Sequence, residues 1–156
     1  RWVRRSVAWG KVIPAGAGGS GGGTTGRALI RSTSRVTARP VRSLISRDVD
    51  IVGVNYLRRN PPHTTTARAP DGGTVSGDGM VAVSHCGMGV MLTRTAVFEK
   101  IPEPWFNIVW REETKDFIGE DVWFCRMAQD AGLTVHVDLD ASKGIGHVGK
   151  HVFQIE

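Results

Sequence analysis

The stretch DFIGEDVWFCRMAQDAGLTVHVDLD, residues 116–140, decides the fold class. Its first part reads as a helix. Gly119, Glu120 and Asp121 stand at the helix start, where negative charge suits the exposed N–H groups. Val122, Cys125, Met127, Ala128 and Ala131 recur at spacings that can line one buried face. Gly132 is a natural stop. The period then changes. Leu133, Val135, Val137 and Leu139 alternate with polar residues, as one face of a strand does. A helix feeding a strand, in a chain of 156 residues, points to an α/β domain.

Working back from there, DIVGVNYL (50–57) is a β-branched, apolar run bounded by charge and by RRNPPH, which predicts a buried strand. RSLISR (42–47) closes a short helix ahead of it. Pro61 and Pro62 exclude a continuing helix, and residues 60–79 read as a long polar loop. Val81 and Val83 alternate as in a strand. Gly87-Met88-Gly89 interrupts the pattern, and VMLT resumes it. A short helix follows, with Thr95 as its candidate cap. IPEPWF (101–106) is stiff and extended, and KGIGHVGKH (143–151) is a glycine-punctuated turn.

Charge divides the chain. Residues 1–47 carry ten Lys or Arg and no acid, whereas residues 48–156 carry ten basic and fifteen acidic residues. The centre of the basic segment, AGAGGSGGGTTG (15–26), predicts a linker. RWVRRSVAWGKVI is either a short amphipathic helix or a strand. Three accounts of residues 1–45 stay open: a disordered tail, a sequence foreign to the rest, and an arm for nucleic acid or an anionic membrane. GGSGGGTTG lacks the Lys-Ser or Lys-Thr ending of a phosphate loop. The two cysteines, Cys86 and Cys125, have no zinc spacing and are expected to be buried thiols. No apolar run approaches the roughly 20 residues of a membrane span, and no signal peptide is visible. A cytoplasmic location is the corresponding expectation.

DIVGVNYLRR, CGMGVMLTRTAVFEKIPEPWF, GEDVWFCRMAQDAG and GHVG occur here in the order found in GT-A-fold glycosyltransferases. Residues 46–156 resemble the C-terminal, acceptor-side half of such a domain, closest to the family-2 type of bacteria and phages. The resemblance implies a partial GT-A mixed sheet with flanking helices. It implies transfer of a sugar from a nucleotide-sugar to a glycan, protein or small-molecule acceptor. Asp121 would be the general base and Glu120 its orienting partner. Gly87, Met88 and Gly89 would admit the donor sugar, and Trp105 and Phe106 would lie beside the acceptor. A divalent metal, Mn²⁺ or Mg²⁺, is implied, with His147 as a ligand. His85 is expected to pack rather than ligate.

The chain departs from that pattern in one respect. The nucleotide-binding half and its DxD motif have no counterpart before Asp48, and Asp48-Val49-Asp50 leads straight into a strand, as a structural pair does. The competing class is a non-catalytic binding module that uses the basic arm for nucleic acid or glycan. A glycosidase is the weakest alternative, because adjacent acids on a helix project in different directions.

Overall fold

The computed structural model describes residues 34–35, 38–58, 61–143 and 145–147. The readings of residues 1–33, the linker and the terminal Trp-Arg segment among them, lie outside these. The elements run β1 (Ser34–Arg35), α1 (Ala38–Ser46), β2 (Ile51–Gly53), β3 (Met80–Ala82), β4 (Met91–Thr93), α2 (Val97–Lys100), β5 (Val109–Arg111), β6 (Asp116–Ile118), α3 (Glu120–Asp130), β7 (Val135–Asp138), α4 (Leu139–Ser142) and β8 (Gly146–His147). The main sheet has the order β3-β7-β2-β4. β2 and β7 are parallel, and both outer pairings are antiparallel. The fold is mixed α/β, with helices on both faces of a mixed sheet. Among the described residues no helix is long and apolar enough to cross a membrane.

The strand predicted at 50–57 is the spine. Its β-branched residues favour the pleated backbone, and its alternation divides the core in two. Ile51 joins one cluster with Val135, Val137, Phe124, Cys125 and Ala128, under α3. Val52 and Val54 join the other with Leu44, Tyr56, Val90 and Ala141, under α1 and α4. Every residue from Ile51 to Val54 is buried, as a central strand covered on both faces requires. Gly53 is the tight point: a Cβ there would stand 2.8 Å from Cys86 Sγ.

α3 ends as its sequence predicts. Gly132 has φ +77°, and its N–H donates to Gln129 O while Leu133 N–H donates to Ala128 O. This is the Schellman arrangement, which satisfies two carbonyls at the helix end. Three expectations need correcting. Residues 116–118 precede α3 as strand β6, paired with β5 so that Trp110 faces Phe117. Gly119, with ψ 165°, separates that strand from the helix. Leu139 opens α4 rather than extending β7, because Asp138 caps the turn through Ala141 N–H at 2.9 Å. Thr95 is not the cap of α2: Ala96 occupies that place without a side-chain bond. On α3 the fully buried residues are Phe124, Cys125 and Ala128, whereas Ala131 is exposed.

Organised structure begins ahead of Ser46. α1 reaches back to Ala38 and is fastened by Asp138. That carboxylate is fully buried and accepts hydrogen bonds from Arg47 Nε at 2.7 Å, Ser43 Oγ at 3.0 Å and Ala141 N–H. Burial alone would raise its pKa, but these donors outweigh burial and hold it below the usual carboxylate value. Its contribution is therefore complete above the unfolded carboxylate value of about 3.9 and is lost as pH falls through the lower native value. Asp138→Ala is expected to cost about 3 kcal/mol in urea unfolding at neutral pH. Asp138→Asn should flatten the acid limb of the stability curve relative to the parent chain.

Candidate functional site

The candidate site forms where the loop after β3 runs along α3. Val83 N–H donates to Val135 O at 2.9 Å, so the chain leaves the sheet edge in register with β7. Gln129 Nε2, near the end of α3, donates to Val83 O and Ser84 O, each at 3.0 Å. One turn nearer the helix start, Cys125 Sγ lies 4.0 Å from Cys86 O. The loop thus advances while the helix position recedes, from 129 against 83–84 to 125 against 86. Gly87-Met88-Gly89 continues this loop, and Glu120 and Asp121 stand in the first turn of the same helix.

Asp121 is half-buried, and its Oδ1 accepts from Val122 N–H at 2.8 Å. Glu120 is half-buried beside it. The Asp121 charge acts on two groups of the facing loop, His85 and Cys86. His85 is half-buried, and its Nδ1 lies 3.2 Å from Ser84 Oγ. Burial lowers its pKa most. The Asp121 carboxylate pulls it back up, while Arg68, Arg126 and Arg58 push it down, and the net shift is downward. The imidazole is therefore neutral at neutral pH, and a neutral imidazole can accept a proton. The sequence reading assigned His85 to packing. No local spacing tied it to Asp121, which lies across the helix–loop contact.

The two glycines of the loop have a definite neighbour. Tyr56 of the β2 extension accepts Gly89 N–H on its hydroxyl at 2.8 Å, inside the protein. A Cβ on Gly87 would stand 2.4 Å from that hydroxyl, and one on Gly89 would stand 2.5 Å from it and 2.7 Å from Tyr56 Cζ. The small residues admit the tyrosine ring, which pins the loop from behind. Met88 between them is half-buried and packs against the core under α3.

Trp105 and Phe106 lie in an aromatic cluster. Phe98 meets Trp105 edge-to-face with centroids 5.1 Å apart, and Phe106 stacks on Phe124 at 5.4 Å. Trp105 Nε1–H donates to Ile101 O at 3.2 Å. Both rings are half-buried. The helix residue Trp123 donates its Nε1–H to Pro104 O at 3.0 Å, tying α3 to the same segment. His147 is reached only through its backbone, where β8 pairs with Ser34 of β1. Its side chain lies outside the described residues. Asp48 and Asp50 are occupied in ion pairs, Asp48 with Arg94, and Asp50 with Arg94 and Lys100, each at 3.8 Å. They serve as the structural pair that the sequence suggested. Among the described residues no group of three or more His, Cys, Asp or Glu side chains is arranged to hold a metal ion.

No protein-family model matches the chain, and no curated protein matches it. Among solved structures, the chain is similar to the protein titled "Crystal Structure of A197 from STIV". The identity is 17% and the TM-score 0.47, over 83% of this chain and 70% of that one.

Two measurements check this geometry. Tyr56→Phe should cost about 1–3 kcal/mol by leaving the buried Gly89 N–H without its acceptor. Gly89→Ala should cost about 1–3 kcal/mol by crowding, without rescue by Tyr56→Phe, because Cζ remains 2.7 Å from the new Cβ. Cys86 and Cys125 are free and buried, and the neighbouring Cys125 thiol together with burial pushes the Cys86 thiol well above its usual pKa. Both should resist an aromatic disulfide reagent in the native chain and react promptly in denaturant.

Proposed function

We propose that this chain is the acceptor-side part of a glycosyltransferase that uses a nucleotide-sugar donor. Asp121 removes the proton of an acceptor hydroxyl as that oxygen attacks the anomeric carbon. The bond from that carbon to the nucleoside diphosphate breaks, and the electron pair leaves with the diphosphate. The proton ends on the Asp121 carboxylate. The observation that carries this reading is the half-buried acid pair Glu120-Asp121 in the first turn of α3, on the helix that packs along the loop of residues 83–86. That loop continues into Gly87-Met88-Gly89. The order of motifs along residues 46–156 supports the same reading.

Glu120 stands beside Asp121 in the first helical turn, where both carboxylates are favoured by the exposed N–H groups. In this reading Glu120 orients the acceptor. The acceptor is a glycan, a protein or a small molecule. A divalent cation, Mn²⁺ or Mg²⁺, would supply positive charge to the leaving diphosphate. The described residues do not assemble a shell for it, and the candidate ligand His147 has its side chain outside them, so no step is routed through the ion. The alternative is a non-catalytic module that uses the basic arm to bind nucleic acid or glycan, and most of that arm lies outside the described residues.

Calorimetric titration of the full chain with UDP and with GDP, each with and without Mn²⁺, tests the reading. Metal-dependent binding of one nucleotide is the expected result. A folded chain that binds neither would remove the donor from the proposal. Asp121→Asn should lower sugar-nucleotide cleavage about 10²–10⁴-fold, read as UDP or GDP release, with nucleotide binding within about twofold of the parent.

A further inference from the structure

The aromatic rings ahead of α3 fall into two groups. Phe98, Trp105 and Phe106, each half-buried, pack with one another and with the buried Phe124. Trp110 and Phe117, on the β5–β6 hairpin, do not join them. They are 46% and 60% exposed and touch each other edge-to-face, with centroids 4.9 Å apart. The hairpin register explains why. Val109 pairs with Ile118 on the face where Ile118 is buried, and Trp110 pairs with Phe117 on the opposite face. The indole is held in place: its Nε1–H donates to Glu112 Oε2 at 2.6 Å, and Lys115 pairs with the other oxygen of that carboxylate. Glu113, next in the turn, is exposed as well.

We propose that the Trp110–Phe117 face of this hairpin is a saccharide platform that holds the acceptor sugar. Its part in transfer rests on the glycosyltransferase reading above; its binding of sugar does not. A pyranose ring offers an apolar C–H face to stack on the rings and a rim of hydroxyls to donate to the Glu112 carboxylate. A protein surface laid over these rings would have to cover the exposed Glu112–Lys115 pair, at the cost of its hydration. A hydroxyl-rich sugar replaces part of that hydration. Position supports the role as well. β6 runs from Phe117 through Ile118 and Gly119 into the acid pair. Four residues of chain reach at most about 14 Å, so a short oligosaccharide seated on Phe117 extends to Asp121.

Isothermal titration of the full chain with cellotriose, chitotriose and maltotriose, alongside the nucleotide titrations, tests the platform. At least one trisaccharide should bind. Trp110→Ala and Phe117→Ala should each weaken it about tenfold or more, and Trp110→Phe should keep most of the affinity. Both rings are exposed, so thermal melts of these variants should stay close to the parent, which separates lost binding from lost folding. The proposal is overturned if none of the three sugars binds, or if the alanine variants bind as well as the parent. It is equally overturned if light scattering finds a dimer that Phe117→Ala dissolves, because a second copy then covers the face. Sugar binding without nucleotide binding would keep the platform and remove the transferase reading. The converse would remove the platform alone.

Discussion

A single carboxylate with no exposure to water joins the two helical pieces on one side of the sheet. Asp138 ends β7, starts α4 and receives Ser43 from α1 and Arg47 from the turn just after it. A buried charge is tolerated only when its lone pairs are filled, and here three donors from two elements fill them. The consequence is geometric. The α1–α4 layer cannot slide over Val52, Val54 and Val90 without unpairing that charge, so β2 keeps a fixed cover on this face. The other face is then free to take α3 and the loop that carries the candidate site.

That loop owes its course to backbone bonds more than to side-chain burial. Arg68 and His85 exchange main-chain contacts across the long polar segment: Arg68 N–H donates to His85 O at 3.0 Å, and Ser84 N–H donates to Arg68 O at 2.8 Å. Gln129 holds the same stretch from the helix side, and the Tyr56 hydroxyl holds its far end at Gly89. Residues 61–79 therefore act less as a loose loop than as a strap beside the loop of residues 83–86, with isolated bridges at Leu57–Thr65 and Arg68–Thr74.

The errors of the sequence reading share one cause. DFI was grouped with the helix because it is contiguous with the most periodic run in the chain, yet its partner, Val109–Arg111, lies across a turn with Lys115 at φ +51°. Cross-strand pairing of Trp110 with Phe117 decides the conformation, and a helical period cannot reveal it. For Trp105 and Phe106 the sequence alone left the packing partners unknown. Their fate depended on Phe98 and Phe124, which come from two other helices. Leu139 fits the strand alternation, but the cap made by Asp138 turns the chain one residue earlier.

Local pattern determined what depends on neighbours in sequence: the β-branched spine at 51–54, the alternation of Val135 and Val137, the glycine stop at 132 and the acids at the start of α3. Each is fixed by backbone propensity or by the exposed groups of a helix end, which act within a few residues. Tertiary structure alone decided which residues face one another. It set Gln129 against the loop at Val83 and Ser84, gave the glycines of the loop to Tyr56, occupied Asp48 and Asp50 with cations, and left the Trp110–Phe117 pair in solvent. Such pairings join positions tens of residues apart, and only the packing of the sheet between its two helical layers brings them within reach.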